Sequence, residues 1–276
     1  MTAGRVWVNG LPATQVDAAD RGLAYGDGLF ETLRIAQGRA VLGPRHFARL
    51  AASAEALGIT LDSEALAADF RRFLDGSGDA VAKIIVTRGA GGRGYLPAPD
   101  LRPTVVFSLH PWQAPPPEWA ASGIVAVTLA ERLGTSPLLA GHKHLNRLEQ
   151  VLLRRALAAH AAAQEAVVCD IDGHVIEGVA ANLFFVRAGV LHTPGLSRAG
   201  VAGVMRAEVL AAAARAGIAT CEGEYLPADL AAADEVFFCN SVQGIWPVRE
   251  LDGRACSVGL ITRQLQRHWQ DLLEAA

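Results

Sequence analysis

The two lysines of this chain are the residues whose chemistry is most worth asking about. The sequence contains Lys83 and Lys143 beside twenty-three arginines. Arginine stays charged, whereas a lysine can lose its proton and act as a nucleophile or a base. The chain is also rich in Arg, Ala and Gly, which favours a compositional origin for the scarcity. Lys143 nevertheless lies in a polar segment, 141–150, whereas Lys83 lies in an apolar, strand-like segment, 82–86, and is interpreted as a packing residue.

A carboxylate and a predicted helix start could complement a reactive amine. Glu177 ends a strand-like segment among apolar and small residues, where a buried carboxylate needs a partner such as a pyridinium nitrogen. An exposed edge position is the alternative. Segment 199–206 places glycines before a predicted helix, whose N–H groups could bind an anion, although an ordinary loop-to-helix turn is favoured on this evidence alone. Together with an amine, these groups are what pyridoxal 5'-phosphate (PLP) requires.

Segment 89–94 matches the glycine pattern of a dinucleotide site, but we do not predict one. Such a site needs a helix directly after the glycines, and the following residues, Tyr95–Pro99, cannot open a helix. Arg93 within the loop could bind a substrate carboxylate, and a flexible hairpin tip is equally consistent. His142 and His144 do not share a helix face and have no third ligand nearby, so no metal site is expected.

The composition excludes several classes of protein. The 276 residues are 51% hydrophobic and 19% charged, which is enough for a large core. A net charge of −3 without basic stretches argues against nucleic acid as a partner. No apolar segment approaches roughly 20 residues, so no membrane span is expected. The first residues lack a signal-peptide pattern and the four cysteines lack CxxC spacing, which predicts reduced thiols and a cytoplasmic protein.

Hairpins dominate the predicted secondary structure. Asn9-Gly10, Gln37-Gly38 and Asp172-Gly173 are typical of tight turns between antiparallel strands. Strands that cluster in hairpins indicate an α+β fold and not a doubly wound α/β fold. A long helix is predicted from His144 to Ala163.

The three prolines at 115–117 cannot continue a helix or a central strand. We therefore predict an N-terminal α+β domain over 1–110, a Pro-rich interdomain linker over 111–121 and a C-terminal, PLP-binding domain over 122–276.

The order and spacing of these segments resemble the fold-type IV PLP enzymes. That family includes branched-chain aminotransferases, D-amino-acid aminotransferases and aminodeoxychorismate lyases. The resemblance implies a smaller N-terminal α/β sandwich, a larger strand-rich C-terminal domain and a homodimer. It extends from Val8 to Val248 and rests on 20–22, 25–32, 46–50, Lys143, 177–184, 203–206 and 234–236.

The resemblance also implies roles for individual residues. Lys143 matches the lysine that binds the cofactor covalently, and Glu177 matches the partner of the pyridine nitrogen. Met205 stands where the aminotransferases commonly have Thr, so only its backbone amide can bind phosphate. The other implied cofactor contacts are Arg49, Val204 and Ser241 to the phosphate and Val201 to the ring.

Two segments, 88–95 and 143–151, resemble the lyase branch of the family. That branch converts 4-amino-4-deoxychorismate to 4-aminobenzoate and pyruvate in folate biosynthesis. Branched-chain aminotransferases usually carry Asn-Tyr shortly after the lysine, whereas this chain has Asn146-Arg147. D-amino-acid aminotransferase activity is the alternative, and a non-enzymatic small-molecule binding protein is a distant third. The substrate carries two carboxylates, which require hydrogen-bond donors. The candidate donors are Arg93, Tyr95, Arg147 and Thr32. Arg147 could instead serve in helix packing.

Overall fold

The computed structural model describes residues 4–276. Residues 1–3, part of the segment inspected for a signal peptide, lie outside the described residues. The chain forms two compact units. Unit 1 contains the described residues up to Gln113 together with Lys143–Asn146 and Ala276, and unit 2 contains Ala114–His142 and Arg147–Ala275. The change of unit after Gln113 falls within the predicted linker, and five residues of the predicted C-terminal domain, Lys143–Asn146 and Ala276, belong to unit 1.

Unit 1 is a six-stranded sheet covered on one face by helices. The strand order is β2-β1-β6-β5-β3-β4, and all neighbouring strands are antiparallel. The elements are β1 (Val6–Val8), β2 (Leu11–Pro12), α1 (Arg21–Tyr25), β3 (Gly28–Ala36), β4 (Arg39–Ala40), α2 (Gly43–Ala56), α3 (Ser63–Leu74), β5 (Ala80–Thr87) and β6 (Thr104–Pro111).

Alternation along β3 separates the core of unit 1 from a second face. Leu29 and Leu33 are fully buried and pack with α2 and α3 in one apolar cluster. Phe30 and Thr32 have opposite side-chain directions, because successive residues of a strand point to opposite faces. They are only partly buried. The sheet of unit 1 therefore has one apolar face under the helices and a second, less buried face.

Two predicted hairpins of unit 1 are confirmed. Asn9 and Gly10 both have positive φ, at 51° and 78°, and so do Gln37 and Gly38, at 49° and 82°. Positive φ at both central residues gives the turn whose twist matches paired strands, and Asn and Gly tolerate it best.

Unit 2 is built on a nine-stranded mixed sheet. Its order is β12-β11-β10-β13-β14-β7-β8-β9, with β15 paired to β14. The elements are α4 (Pro117–Ala121), β7 (Ile124–Leu133), α5 (Leu148–Ala158), β8 (Glu165–Asp170), β9 (Val175–Gly178), β10 (Asn182–Arg187), β11 (Val190–Pro194), α6 (Val204–Arg215), β12 (Thr220–Gly223), α7 (Pro227–Ala231), β13 (Glu235–Asn240), β14 (Gly244–Leu251), β15 (Arg254–Ala255) and α8 (Leu260–Glu274).

The central strands of unit 2 are buried on both faces, which explains their continuous apolar sequences. Every residue of β8 is buried, and in β10 only Arg187 is not. The predicted hairpin at Asp172-Gly173 is confirmed, because β8 and β9 pair antiparallel around it. Strands β8 and β9 together place Glu177 within a rigid sheet.

The predicted helix from His144 to Ala163 is wrong at both ends. Helix α5 runs only from Leu148 to Ala158. The residues before it are extended because they pair with β3, a long-range contact that overrides local helical propensity. No helix of the described chain, residues 4–276, is long and apolar enough to cross a membrane.

Candidate active site

Lys143 is held at the edge of the unit 1 sheet. The Phe30 N–H donates to the Lys143 carbonyl at 3.0 Å, and the Leu145 N–H donates to the Gly28 carbonyl at 2.9 Å. Gly28 permits this approach, because a Cβ there would lie 2.8 Å from Leu145 Cδ1. The Lys143 side chain shares the face of Phe30, and its Nζ lies 4.3 Å from the ring centroid. The amine is therefore fixed by backbone pairing and by a cation–π contact.

Lys83 lies beside the same ring. Its Nζ is 5.1 Å from the Phe30 centroid, so both lysines of the chain contact one aromatic side chain. Lys83 pairs across the sheet with Thr32 on β3 and with Ser108 on β6. Thr32, Lys83 and Ser108 thus form a row of hydrogen-bond donors across β3, β5 and β6. The row lies on the sheet face opposite the apolar core.

The packing interpretation of Lys83 missed this placement. The apolar residues around Lys83 concealed it, but a period of two separates them. Ala82, Ile84 and Val86 are fully buried and form the core. Lys83 alternates with them and was therefore detectable as a residue of the opposite face.

Arg49 on α2 is oriented by a buried carboxylate on β3. Arg49 Nε donates to Glu31 Oε1 at 2.8 Å, and Arg49 Nη2 donates to Oε2 at 2.5 Å. His46 Nδ1 donates to Glu31 Oε2 at 2.6 Å. Burial opposes ionisation of Glu31, but the bonds from His46 and Arg49 hold the pKa of Glu31 below its ordinary value. Burial lowers the pKa of His46. The bidentate pair fixes the plane of the Arg49 guanidinium.

Glu177 is a buried carboxylate in unit 2, only 6% exposed. Its Oε2 accepts the Val201 N–H at 2.9 Å, and Asn182 Nδ2 donates to the Val201 carbonyl at 2.9 Å. Gly200 has φ +84°, and a Cβ there would lie 3.2 Å from Glu177 Oε2. The Val201 peptide is therefore clamped on both sides, which fixes the orientation of the Glu177 carboxylate.

The start of α6 follows directly after this clamp. Gly203 is the N-cap and provides no side-chain cap, so backbone N–H groups of the first turn point outward. A Cβ on Gly203 would overlap Asn182 Oδ1, so only glycine fits. Val204 and Met205 are the first two residues of the 12-residue helix. Its N-terminus suits an anionic group. Ser241 follows β13, on which Cys239 pairs with Asn182.

The predicted substrate residues occupy different places. Arg93 and Tyr95 lie exposed in the loop between β5 and β6, and Tyr95 is 88% exposed. Thr32 lies on β3 two residues from Phe30. Arg147 belongs to unit 2, where its Nη2 donates to the His142 carbonyl at 2.8 Å. That bond gives Arg147 a structural task, and all four substrate roles stay predictions.

Comparison with known proteins defines the class. The model of the family described as Amino-transferase class IV matches residues 28–251. The chain therefore belongs to the class IV aminotransferases. This family depends on PLP, so the chain is a PLP-dependent enzyme.

Individual relatives define the branch more finely. The chain is 38% identical to the aminodeoxychorismate lyase of Vibrio harveyi over 94% of this chain and 97% of the relative. It is 31% identical to the D-alanine aminotransferase of Bacillus licheniformis, over 93% of this chain and 91% of the relative. A solved structure of the 4-amino-4-deoxychorismate lyase of Pseudomonas aeruginosa superimposes with a TM-score of 0.92 at 47% identity. The match covers 96% of this chain and 98% of that chain. The predicted α+β, fold-type IV architecture is confirmed by this likeness.

The residues of unit 2 fit the requirements of PLP. Glu177 is a buried carboxylate, which is the kind of group that a protonated ring nitrogen requires, and its orientation is fixed through Val201. Gly203 lets the Asn182 amide pack against the α6 N-cap, and the N–H groups in the first turn of this 12-residue helix suit a phosphate. The individual residue roles remain predictions that follow from this fit.

Proposed function

We propose that this protein is a lyase that converts 4-amino-4-deoxychorismate to 4-aminobenzoate and pyruvate, a step of folate biosynthesis. The similarity to two lyases carries the proposal, and the geometry that fits it is the placement of both lysines beside Phe30. One amine can perform proton transfer, while the other supplies a positive charge for a carboxylate of the substrate. The identities to the two lyases are 38% and 47% over nearly the whole chain.

The reaction requires one proton to be removed and one to be returned. When bound, PLP withdraws electrons from the carbon that carries the substrate nitrogen. The neutral amine of Lys143 takes the proton from that ring carbon. The neighbouring ring C–O bond breaks, and its electron pair leaves with the enolpyruvyl oxygen. The ammonium of Lys143 then protonates the departing enolpyruvate at its methylene carbon, which gives pyruvate. The six-membered ring becomes aromatic, which makes the cleavage favourable.

Other residues hold the participants in place. Glu177 keeps the proton on the pyridine nitrogen, since an ionised carboxylate nearby favours the charged form of a base. Arg49, oriented by Glu31, binds the phosphate as a fork of donors. Arg93 and Lys83 bind carboxylates of the substrate, and Thr32 lies within the same row of donors as Lys83.

The deciding experiment supplies aminodeoxychorismate to the PLP-loaded protein and measures pyruvate and 4-aminobenzoate together. Equal amounts of the two products are expected. A parallel reaction with D-alanine and a keto-acid acceptor measures transamination. Transamination without either lyase product would reject the proposal in favour of a D-amino-acid aminotransferase.

Replacement of Lys83 by methionine tests the second cation. We expect KM for aminodeoxychorismate to rise about ten- to a hundredfold, because a charge-assisted hydrogen bond to a carboxylate is lost. Lys83→Arg keeps the charge and should keep KM within about threefold of wild type. Steady-state kinetics by pyruvate release measures both. Equal KM values for wild type and Lys83→Met would remove Lys83 from the substrate site.

The resemblance to fold-type IV enzymes supports a proposal on assembly, and the cysteines without CxxC spacing support one on location. We propose that the protein is a homodimer and that it acts in the cytoplasm. Sedimentation equilibrium of the PLP-loaded protein tests the first, and fractionation of the source cells tests the second. A monomer at micromolar concentration would reject the dimer.

A further inference from the structure

One buried arginine holds the loop that carries Arg93 and Tyr95. Arg21 is 3% exposed and lies at the start of α1. Its Nη1 donates to the Gly94 carbonyl at 3.0 Å, and its Nη2 donates to the Tyr95 carbonyl at 2.9 Å. Its Nε donates to Asp27 Oδ2 at 2.8 Å. Three separate donors of one guanidinium are thus used, two of them on the loop.

Backbone contacts fix the beginning of the same loop. The Arg21 N–H donates to the Gly89 carbonyl at 2.9 Å, and the Gly91 N–H donates to the Ala19 carbonyl at 3.3 Å. Asp20 forms a bridge with Ala90. The segment before α1 therefore anchors the loop by its main chain at 89–91, and the Arg21 side chain anchors it again at 94–95.

The loop has little stiffness of its own between these anchors. Gly91, Gly92 and Gly94 have φ of 125°, 77° and 78°, a region that is readily accessible only to glycine. Glycine also has the largest conformational freedom to lose, so the position of Arg93 depends on contacts from outside the loop. Arg21 provides those contacts with a residue that is already fixed by burial.

Aromatic contacts extend the support to the Tyr95 side chain. The Arg21 guanidinium carbon lies 4.8 Å from the Tyr25 ring centroid. The Tyr25 and Tyr95 rings are 5.7 Å apart. Tyr95 is 88% exposed, so the Tyr25 contact is a main constraint on its ring.

We propose that Arg21 is a positioning residue for substrate binding. It holds the glycine-rich loop so that Arg93 and Tyr95 meet a carboxylate of the substrate. This inference rests on the proposed lyase function and on the substrate role of Arg93.

Arg21→Lys is the test variant. An ammonium cannot reach Asp27 and both loop carbonyls in the way that a planar fork does. We expect KM for aminodeoxychorismate to rise roughly tenfold while kcat stays within about threefold and the absorbance of the bound cofactor is unchanged. A KM equal to wild type would overturn the inference.

Arg88→Lys is the matched control. Arg88 Nε donates to the same Asp27 oxygen at 2.8 Å, but its other donors bind the carbonyls of Leu57 and Gly58 and not the loop. The Arg88→Lys variant therefore changes a similar ion pair with Asp27 without releasing the loop. An unchanged KM in this variant supports the inference, and a rise equal to that of Arg21→Lys would overturn it.

A double-mutant cycle with Arg93→Gln separates positioning from general destabilisation. If Arg21 acts through Arg93, Arg21→Lys should raise KM less than about twofold once Arg93 is already replaced. Fully additive effects would overturn the inference. If Arg21→Lys does not fold, Tyr25→Leu is measured in its place. We expect KM to rise in that variant, and an unchanged KM would overturn the inference.

Hydrogen exchange provides a readout that needs no substrate. Amides of 91–95 should exchange about tenfold faster in Arg21→Lys than in wild type, and those in Arg88→Lys should not. Unchanged exchange overturns the inference even if lyase activity is present. Faster exchange in a protein without lyase activity would instead leave the positioning by Arg21 intact and reject the proposed function.

Discussion

Replacement of Lys143 by alanine is expected to abolish lyase turnover, by at least about a thousandfold. The amine is the group that moves the proton at the reacting carbon, and Lys83, the other amine beside Phe30, is expected to bind a carboxylate and not to replace it. The visible absorbance of the lysine-bound cofactor should disappear as well. Pyruvate release and an absorbance spectrum of the purified protein measure the two effects.

Lys143→Arg distinguishes chemistry from charge. Arginine keeps a positive group over the Phe30 ring, but it does not lose its proton under ordinary conditions. We expect the same loss of turnover as in the alanine variant, with a melting temperature close to wild type. Turnover within tenfold of wild type in either variant would show that Lys143 is not the reacting amine.

Glu177→Gln is expected to lower kcat about a hundredfold or more, because it removes the charge that keeps a proton on the pyridine nitrogen. Glutamine can still accept the Val201 N–H through its amide oxygen, so the clamp around Val201 should persist. Steady-state kinetics measures the loss of kcat, and the cofactor dissociation constant shows whether the clamp around Val201 still supports PLP binding. A variant with wild-type kcat would contradict the role of Glu177.

Glu165→Gln is the natural control for that variant. Glu165 on β8 is likewise buried, and its Oε1 accepts the N–H groups of Ala166 and Val179. Burial raises the pKa of Glu165, and glutamine keeps an oxygen that can accept both N–H bonds. We expect kcat within about threefold of wild type. A loss equal to that of Glu177→Gln would mean that any change near β9 reduces activity.

Local sequence determined the parts of the fold that depend on backbone preference. The Asn9-Gly10 turn was predictable because Asn and Gly tolerate positive φ best, and in the second turn Gly38 provided that signal. The α+β class followed from the spacing of such turns. The late start of α5, at Leu148 and not at His144, was not predictable, since residues 143–145 pair with a strand more than a hundred positions away.

The residues of the candidate site likewise differ in whether the sequence alone could reveal them. Lys143 and Glu177 were identified because their neighbours carry a recognisable pattern. Lys83 was interpreted as a packing residue, because its proximity to Phe30 depends on the register of β3 and β5. Arg21 was part of the motif at 20–22, which gave it no individual role. Its bonds to Gly94 and Tyr95 cross 73 and 74 positions, and sequence patterns of one chain do not report contacts at such separation.

The return of residues 143–146 to unit 1 limits how the protein can be dissected. A fragment that ends at Gln113 would contain the six strands but would leave the edge of β3 at Gly28–Phe30 without its pairing segment. An exposed strand edge invites pairing with other chains. Chimeras that exchange the first domain between relatives would therefore need to carry the lysine-bearing tetrapeptide with it, and a single crossover at the proline segment would split what the fold treats as one piece.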